Sequence, residues 1–461
     1  MLTRLDLCTP ALRQAQDKLA PLRTDLQLST FNLYDTFNVY SLSHLKNGLP
    51  LLTAPIEGTE SVTVHVFAGA GSRYETRKER GVSHFLEHMF FKGGKKYKNA
   101  AEVAMAIDAF GGSFNAFTGK EYAGYFVKIA APHIDTACDV LSDMLLHATL
   151  PEDEAKKERG VIVEELRMYQ DTPMYQAGWD FEELLFGDQP LGWDTIGVEE
   201  TINATGHSEL KAHKDLLYTP DNMVLVFSGK ITEKEAMKLG ESFFGELSGK
   251  KGREFPKLGA FGKEQIMLTT KKTEQSHLVL GVKGANAIED DHFPQSLLSV
   301  ILGGNMSSRM FLRIREARGL CYYISASTDD YLDAGAFSVR AGVDQSRLDE
   351  AISAITHELL LAAKEGVTEA EVARAKEYLK GKITLGLEDS EERAHFYGRQ
   401  QLLYANTKHG VMDVPALFKE IDNVTKRQID AFARKIFAPE LFRLVVIGNR
   451  ENREELQKLL R

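Results

Sequence analysis

A chain of 461 residues is longer than one ordinary hydrophobic core organises, so two or more domains are expected. Its 43% hydrophobic and 26% charged residues are the balance of a folding chain and exclude wholesale disorder. A formal net charge of -10 gives no overall basic surface, which argues against a nucleic-acid partner.

In chain order, residues 1 to 40 read as an N-terminal extension. Arg4, Asp6, Arg13, Asp17, Lys18, Arg23 and Asp25 interrupt any apolar export signal and are too acidic for a transit peptide. Nowhere do eighteen apolar residues run together, so no membrane span and no membrane partner are expected. Cys8, Cys138 and Cys321 are odd in number, far apart and free of any C-x-x-C pair, which fits a reducing compartment. The protein is therefore expected to be cytoplasmic.

A first domain is expected over residues 41–247. Early in it, "GVSHFLEHMFFKGG" at residues 81 to 94 follows a loop carrying Arg73, Glu75, Arg77, Lys78, Glu79 and Arg80. Positions i and i+4 share a helical face, so His84 and His88 present two imidazoles to one ion, with Glu87 beside them. Imidazole is a favoured zinc ligand, and a catalytic zinc keeps one position open for water. The ion makes that water acidic near neutrality, and a neighbouring carboxylate can take its proton. Phe85, Leu86, Met89, Phe90 and Phe91 supply apolar surface around the polar stripe. The competing reading is a pair of solvent-facing or capped histidines on an amphipathic helix.

Two histidines are too few, because catalytic zinc usually takes three protein ligands. The helical stretch "EAKKERGVIVEELRMYQ" offers Glu158 and Glu165, seven apart and so on one face, with Glu164 on another side. Read alone, Glu158 is either a solvated charge, which composition favours, or a carboxylate that orients a ligand.

Self-comparison finds a repeat. "SVTVHVFAGAGSRYE" from Ser61 resembles "SHLVLGVKGANAIED" from Ser276, an offset of 215. "LPEDEAKKERGVIVEE" from Leu150 resembles "VTEAEVARAKEYLKGK" from Val367, an offset of 217. "PDNMVLVFSGKITEKEAMKLGESFF" from Pro220 resembles "PELFRLVVIGNRENREELQKLL" from Pro439, an offset of 219. Three matches in one order point to a duplicated unit of roughly 200 residues. The join is expected at residues 248–263, rich in Gly, Lys and Pro, with a second domain over 264–461. Each half mixes strands, hairpin-like patterns and helices of ten or more residues, an α+β layer. At the equivalent offset Glu158 falls on Ala375 and Glu165 on Lys382, while "FPQSLLSVILGGN" replaces the histidine helix. One metal site per chain is expected.

H-x-x-E-H is the inverzincin signature. With "ERGVIVEEL" placing Glu165 77 residues beyond His88, the chain from about residue 45 onward resembles the M16 family of zinc metallopeptidases. It is nearest the short, two-domain subfamily that includes mitochondrial processing peptidase and its bacterial relatives. The resemblance implies a duplicated LuxS/processing-peptidase-like metallohydrolase fold, each chain forming half of a clamshell chamber. It makes His84, His88 and Glu165 the ligands of one zinc ion, Glu87 the general base and Glu158 the supporting carboxylate. It reads "GGSFNAFTGKEYAGYFVKI", residues 111 to 129, as an edge strand on which Asn115, Ala116 and Phe117 contact the substrate backbone by β-augmentation. The alternation by itself equally fits a core strand.

In "SSRMFLRIREARGLCYYISA" the resemblance assigns Arg315 and Tyr322 to holding the substrate carbonyl and its oxyanion. Without the family, Arg315 is one arginine of a solvated basic helix start. The implied protein is a metalloendopeptidase of unstructured peptides, as a homodimer or as a heterodimer with an M16 paralogue, in which the second domain of one subunit completes the site of the other. The rival readings are a non-proteolytic binding or assembly subunit, and a subunit active only beside a different chain. His133, His147, His207, His213 and His277 read as structural, and "IEDDHF" at 288 to 293 as a solvated charge run.

Overall fold

The computed structural model describes residues 40 to 461. The N-terminal extension expected over residues 1 to 40 lies outside them, apart from Tyr40. Strands β1 (Ser41–His44), β2 (Pro50–Pro55), β3 (Ser61–Ala68), β4 (Ser113–Thr118), β5 (Ala123–Ala130) and β6 (Met223–Gly229) form one sheet in the order β1-β2-β6-β3-β5-β4. Strands β7 (Ile266–Thr270), β8 (Gln275–Lys283), β9 (Cys321–Asp330), β10 (Gly335–Asp344) and β11 (Arg443–Gly448) form a second, ordered β7-β11-β8-β10-β9. Leaving β1 aside, the two orders correspond strand for strand. In each sheet one pair is parallel, β2 with β6 and β7 with β11. The remaining pairs are antiparallel. Residues 247 to 265 between the sheets carry neither helix nor strand.

Six helices matter for the site: α1 (Val82–Phe90), α2 (Glu152–Asp171), α3 (Pro173–Phe186), α4 (His292–Gly303), α5 (Glu369–Gly386) and α6 (Ser390–Tyr404). α5 begins 217 residues after α2, and α6 begins 217 after α3, so the repeat extends to the helices. Strand residues alternate between faces. Val62, Val64 and Val66 of β3 therefore face the main core of the first half, with Phe85 and Leu86 of α1. Phe67 faces the other way, against Ala394 and Tyr397 of α6, a helix of the second half. Thr63, on that same face, shares a hydroxyl hydrogen bond of 2.8 Å with Ser390. α3 returns the exchange, since its Ala177, Phe181 and Leu185 pack with Val279, Val445 and Ile447 of the second sheet. Both central strands are thus covered on two faces, which is why β3 and β6 read as nearly continuous buried runs.

A buried cation ties the halves together. Arg73, 1% exposed, donates to Glu121 at 2.6 Å and to Asp333 at 2.7 Å. Its guanidinium also lies 4.0 Å from the ring centre of Phe255 in the connecting segment. A charge this deep is tolerated only when paired. Cys138 and Cys321 are free and buried. No helix among the described residues is long and apolar enough to cross a membrane.

Candidate metal centre

The helix that carries the histidines is set by a buried carboxylate at its start. Glu75 accepts hydrogen bonds from the backbone N–H groups of Gly81, at 2.8 Å, and Ser83, at 2.9 Å. Those amides begin α1 and have no partner inside it, and the helix dipole favours an anion there. Gly81 adopts φ 87°, and a Cβ on it would lie 2.1 Å from the Ile196 carbonyl oxygen, so the entry requires glycine. Ser83 and the buried His213 share a 3.0 Å hydrogen bond, which fixes the first turn from the far side. Val82, Phe85, Leu86, Met89 and Phe90 are buried and anchor the opposite face.

The remaining stripe of α1 points at α2. Ligand atoms of His84, His88 and Glu165 all lie within 4.8 Å of one another. The two Nε2 atoms are 3.3 Å apart, and Glu165 Oε2 is 3.4 Å from that of His88 and 3.7 Å from that of His84. A tetrahedral zinc with ligand bonds of about 2.0 to 2.2 Å sets its donors about 3.3 to 3.6 Å apart. The three separations therefore suit one ion, and the two-nitrogen, one-carboxylate donor set is that of catalytic zinc sites.

Glu158 orients this set. It is 5% exposed, not the solvated charge that composition favours, and its Oε1 lies 2.9 Å from His88 Nδ1. The contact turns His88 Nε2 toward the centre, the usual service of a carboxylate behind a ligating imidazole. Lys92, just past α1, pairs with the other Glu158 oxygen at 2.6 Å. Burial, aided by His88, holds the His84 imidazole down at about 4, which keeps its lone pair available. Burial also lowers His88, but the Glu158 and Glu165 carboxylates outweigh it and lift the group to about 9.

Glu87 stands next to the donors without joining them. Its Oε2 accepts a hydrogen bond from the Thr118 hydroxyl at the end of β4. Burial raises its carboxyl above the ordinary range, against the lowering effect of Thr118. β4 is the terminal strand of its sheet and pairs only with β5 among the described residues. Asn115 is exposed on it and Ala116 is half-buried. The Phe117 ring turns inward to a cluster with Phe67, Tyr122 and His395, so this residue offers only its backbone to the edge.

Arg315 and Tyr322 are not brought to this centre. Arg315 lies in a π-helical turn, Phe311–Glu316, with its guanidinium 4.5 Å from the Phe311 ring. Tyr322 stands 77% exposed on β9, the edge of the second sheet. Neither shares a hydrogen bond or ion pair with His84, Glu87, His88 or Glu165 among the described residues. Sequence reasoning missed Thr118, Lys92 and the role of Glu75, whereas His213, read as structural, is buried against Ser83. Only Glu75 carried a signal, as an acidic residue just before a predicted helix.

Residues 52–185 match the family model described as insulinase (peptidase family M16), and residues 207–379 match that of the peptidase M16 inactive domain. The chain belongs to peptidase family M16. An uncharacterized zinc protease of Bacillus subtilis, YmxG, is 36% identical over 398 residues, which cover 86% of this chain and 95% of that one. In fold, the chain is similar to a protease from Helicobacter pylori, with a TM-score of 0.80 at 22% identity over 89% of this chain and 99% of that one. It is also similar to a chain of complex III2 from Candida albicans, with a TM-score of 0.76 at 15% identity over 91% of this chain and 99% of that one. The inactive type of the second M16 domain agrees with the absence there of any metal-ligating cluster among the described residues.

Proposed function

We propose that this M16 protein is a zinc-dependent endopeptidase that cuts unstructured peptides, with one zinc ion per chain held by His84, His88 and Glu165. The observation that carries this reading is the meeting of those three donors beside a fourth group, Glu87, that is not a donor. A closed structural zinc site would normally add a fourth protein ligand, and none stands within reach among the described residues. Zinc, when bound, would supply Lewis-acid polarisation of the peptide carbonyl and acidify the attacking water. Glu87 takes the proton from that water and passes it to the leaving amine. Thr118 holds the Glu87 carboxylate in position, and Glu158 holds the His88 ring. The free edge of β4 pairs with the peptide backbone, so affinity comes from main-chain hydrogen bonds with limited demands on sequence.

The exposure of Tyr322, and the lack of any hydrogen bond or ion pair from Arg315 to the triad among the described residues, favour a site completed by a second chain. In a homodimer the second domain of each subunit supplies this pair to the other's centre, where a cation and a phenol stabilise the oxyanion. The test combines metal analysis with cleavage of a quenched unstructured peptide. One zinc per chain, turnover lost to a chelator and restored by zinc, and a dimer in sedimentation are the expected results. A metal-loaded dimer that cuts no unstructured peptide would point instead to an assembly subunit.

A further inference from the structure

A cavity of about 540 Å³ lies between the two halves and adjoins the metal centre. Tyr169 on its wall is four residues past Glu165, one helical turn along α2. Gly119, also on the wall, directly follows Thr118, the partner of Glu87. The Tyr169 ring packs 5.5 Å from that of Tyr175 and 5.0 Å from that of Trp179, which gives the cavity one aromatic side.

Most charged groups around this cavity have hydrogen-bond partners. Glu121 pairs with Arg73, and Glu182 accepts from Lys120 at 2.9 Å and from the Tyr331 hydroxyl at 3.0 Å. Asp330 accepts from Gln295 at 2.9 Å. Two guanidiniums, one from β10 and one from α6, lack a hydrogen-bonded partner among the described residues. Arg340 and Arg399 make no hydrogen bond or ion pair with a side chain among the described residues, and the Nε of each is buried without a partner. Arg399 lies 5.6 Å from the centre of the Tyr404 ring. Gly178 of α3 leaves room for the other, because a Cβ there would come within 3.2 Å of Arg340 Nη1. Asp329 acts on Arg340 and Asp330 on Arg399 through their charge alone, and neither carboxylate accepts a hydrogen bond from a guanidinium among the described residues. A buried guanidinium whose N–H donors lack an acceptor is costly, and its planar fork matches a carboxylate in geometry as well as charge.

We propose that Arg340 and Arg399 form a carboxylate-binding subsite that anchors a peptide beside the metal centre, by its C-terminal carboxylate or by an Asp or Glu side chain. This rests on the peptidase reading above and narrows it: substrates carrying a carboxylate a short distance from the bond cut are preferred. The aromatic wall of Tyr169, Tyr175 and Trp179 packs against the apolar parts of the same residues.

The test needs no bond cleavage. Full-length Glu87→Gln protein is stripped of metal by a chelator, so that no ion serves as the anchor, and titrated with fluorescent peptides that differ only at the carboxylate. One pair has a free or amidated C terminus, and the other, amidated throughout, carries an internal Asp or Asn. In at least one pair the acidic member should bind about tenfold tighter or more, the effect of a charge-assisted contact, and the pair that shows the gap names the source. Arg340→Gln or Arg399→Gln should close the gap and leave the neutral peptides unchanged. Arg340→Lys and Arg399→Lys, which keep the charge and the packing, should retain only part of it. Equal binding within both pairs would overturn the proposal, as would arginine variants that weaken neutral and acidic peptides alike. Failure of the wild-type protein to hydrolyse any peptide would refute the peptidase reading while leaving this comparison readable.

Discussion

On the second sheet, Phe181 of α3 sits over Gly281 of β8, where a Cβ would lie 2.5 Å from its ring. On the first sheet the parts are reversed: Phe67 of β3 sits over Gly398 of α6, where a Cβ would lie 2.2 Å from the ring. The duplicated halves thus keep a ring-into-gap contact under each exchanged helix while swapping which element brings the ring. What is repeated is a volume, filled to the density of a protein interior, and not a residue. The chemistry is not repeated at all. α1 and α2 bring His84, His88 and Glu165 to one point with Glu158 behind His88, whereas α4 is lined with Leu297, Leu298 and Leu302. On α5, Ala375 is buried and Lys382 exposed at the places corresponding to Glu158 and Glu165.

The largest expected effect tests that chemical difference. Glu87→Gln should lower the rate of peptide cleavage by about 10²- to 10⁴-fold while zinc content stays at the wild-type level. Lys382→Gln, at the corresponding place in the other half, should change neither; a loss of metal there would break the comparison. The packing likeness is tested next. Phe181→Ala should cost about 3 to 5 kcal/mol in urea unfolding, the range for a fully buried ring, and Phe67→Ala a similar amount. A loss under about 1 kcal/mol for either would mean that the two helices are not held alike.

Glu158→Gln sharpens the contrast within the first half, because it keeps the shape of a group that touches His88 but is not a ligand. Zinc affinity, measured by competition with a chelator, should fall about 10- to 100-fold, alongside a loss of folding stability from breaking the pair with Lys92. The smallest effect concerns Glu75, whose carboxyl burial pushes up to about 7, against the opposing hydrogen bonds of Ser83 and Gly81. The folded state then holds its proton more tightly than the unfolded one. Its contribution to stability is present below the ordinary carboxyl range and lost as pH rises toward about 7, at no more than about 1.4 kcal/mol per pH unit. Glu75→Gln should flatten that slope, and an unaltered slope would remove Glu75 as its source.

Parts of this were legible before any coordinates. The offset near 217 between "LPEDEAKKERGVIVEE" and its counterpart foretold two α+β halves, because strand and helix periods survive when residues change. The edge position of β4 was not legible, since apolar alternation is the same for a core strand and an edge strand whose one face is covered. The buried state of Glu158 was also hidden, because its neighbours in the chain are charged and only the approach of His88 and Lys92 encloses it.

By itself, the order of residues determined that His84, Glu87 and His88 share one helical stripe, because 3.6 residues per turn is a local property of the backbone. The tertiary structure alone decided that Glu165 and Glu158 meet that stripe, that Thr118 bonds Glu87, and that α3 and α6 cross to each other's sheets. Those meetings depend on which apolar faces bury one another across tens or hundreds of residues, and no local period encodes that pairing.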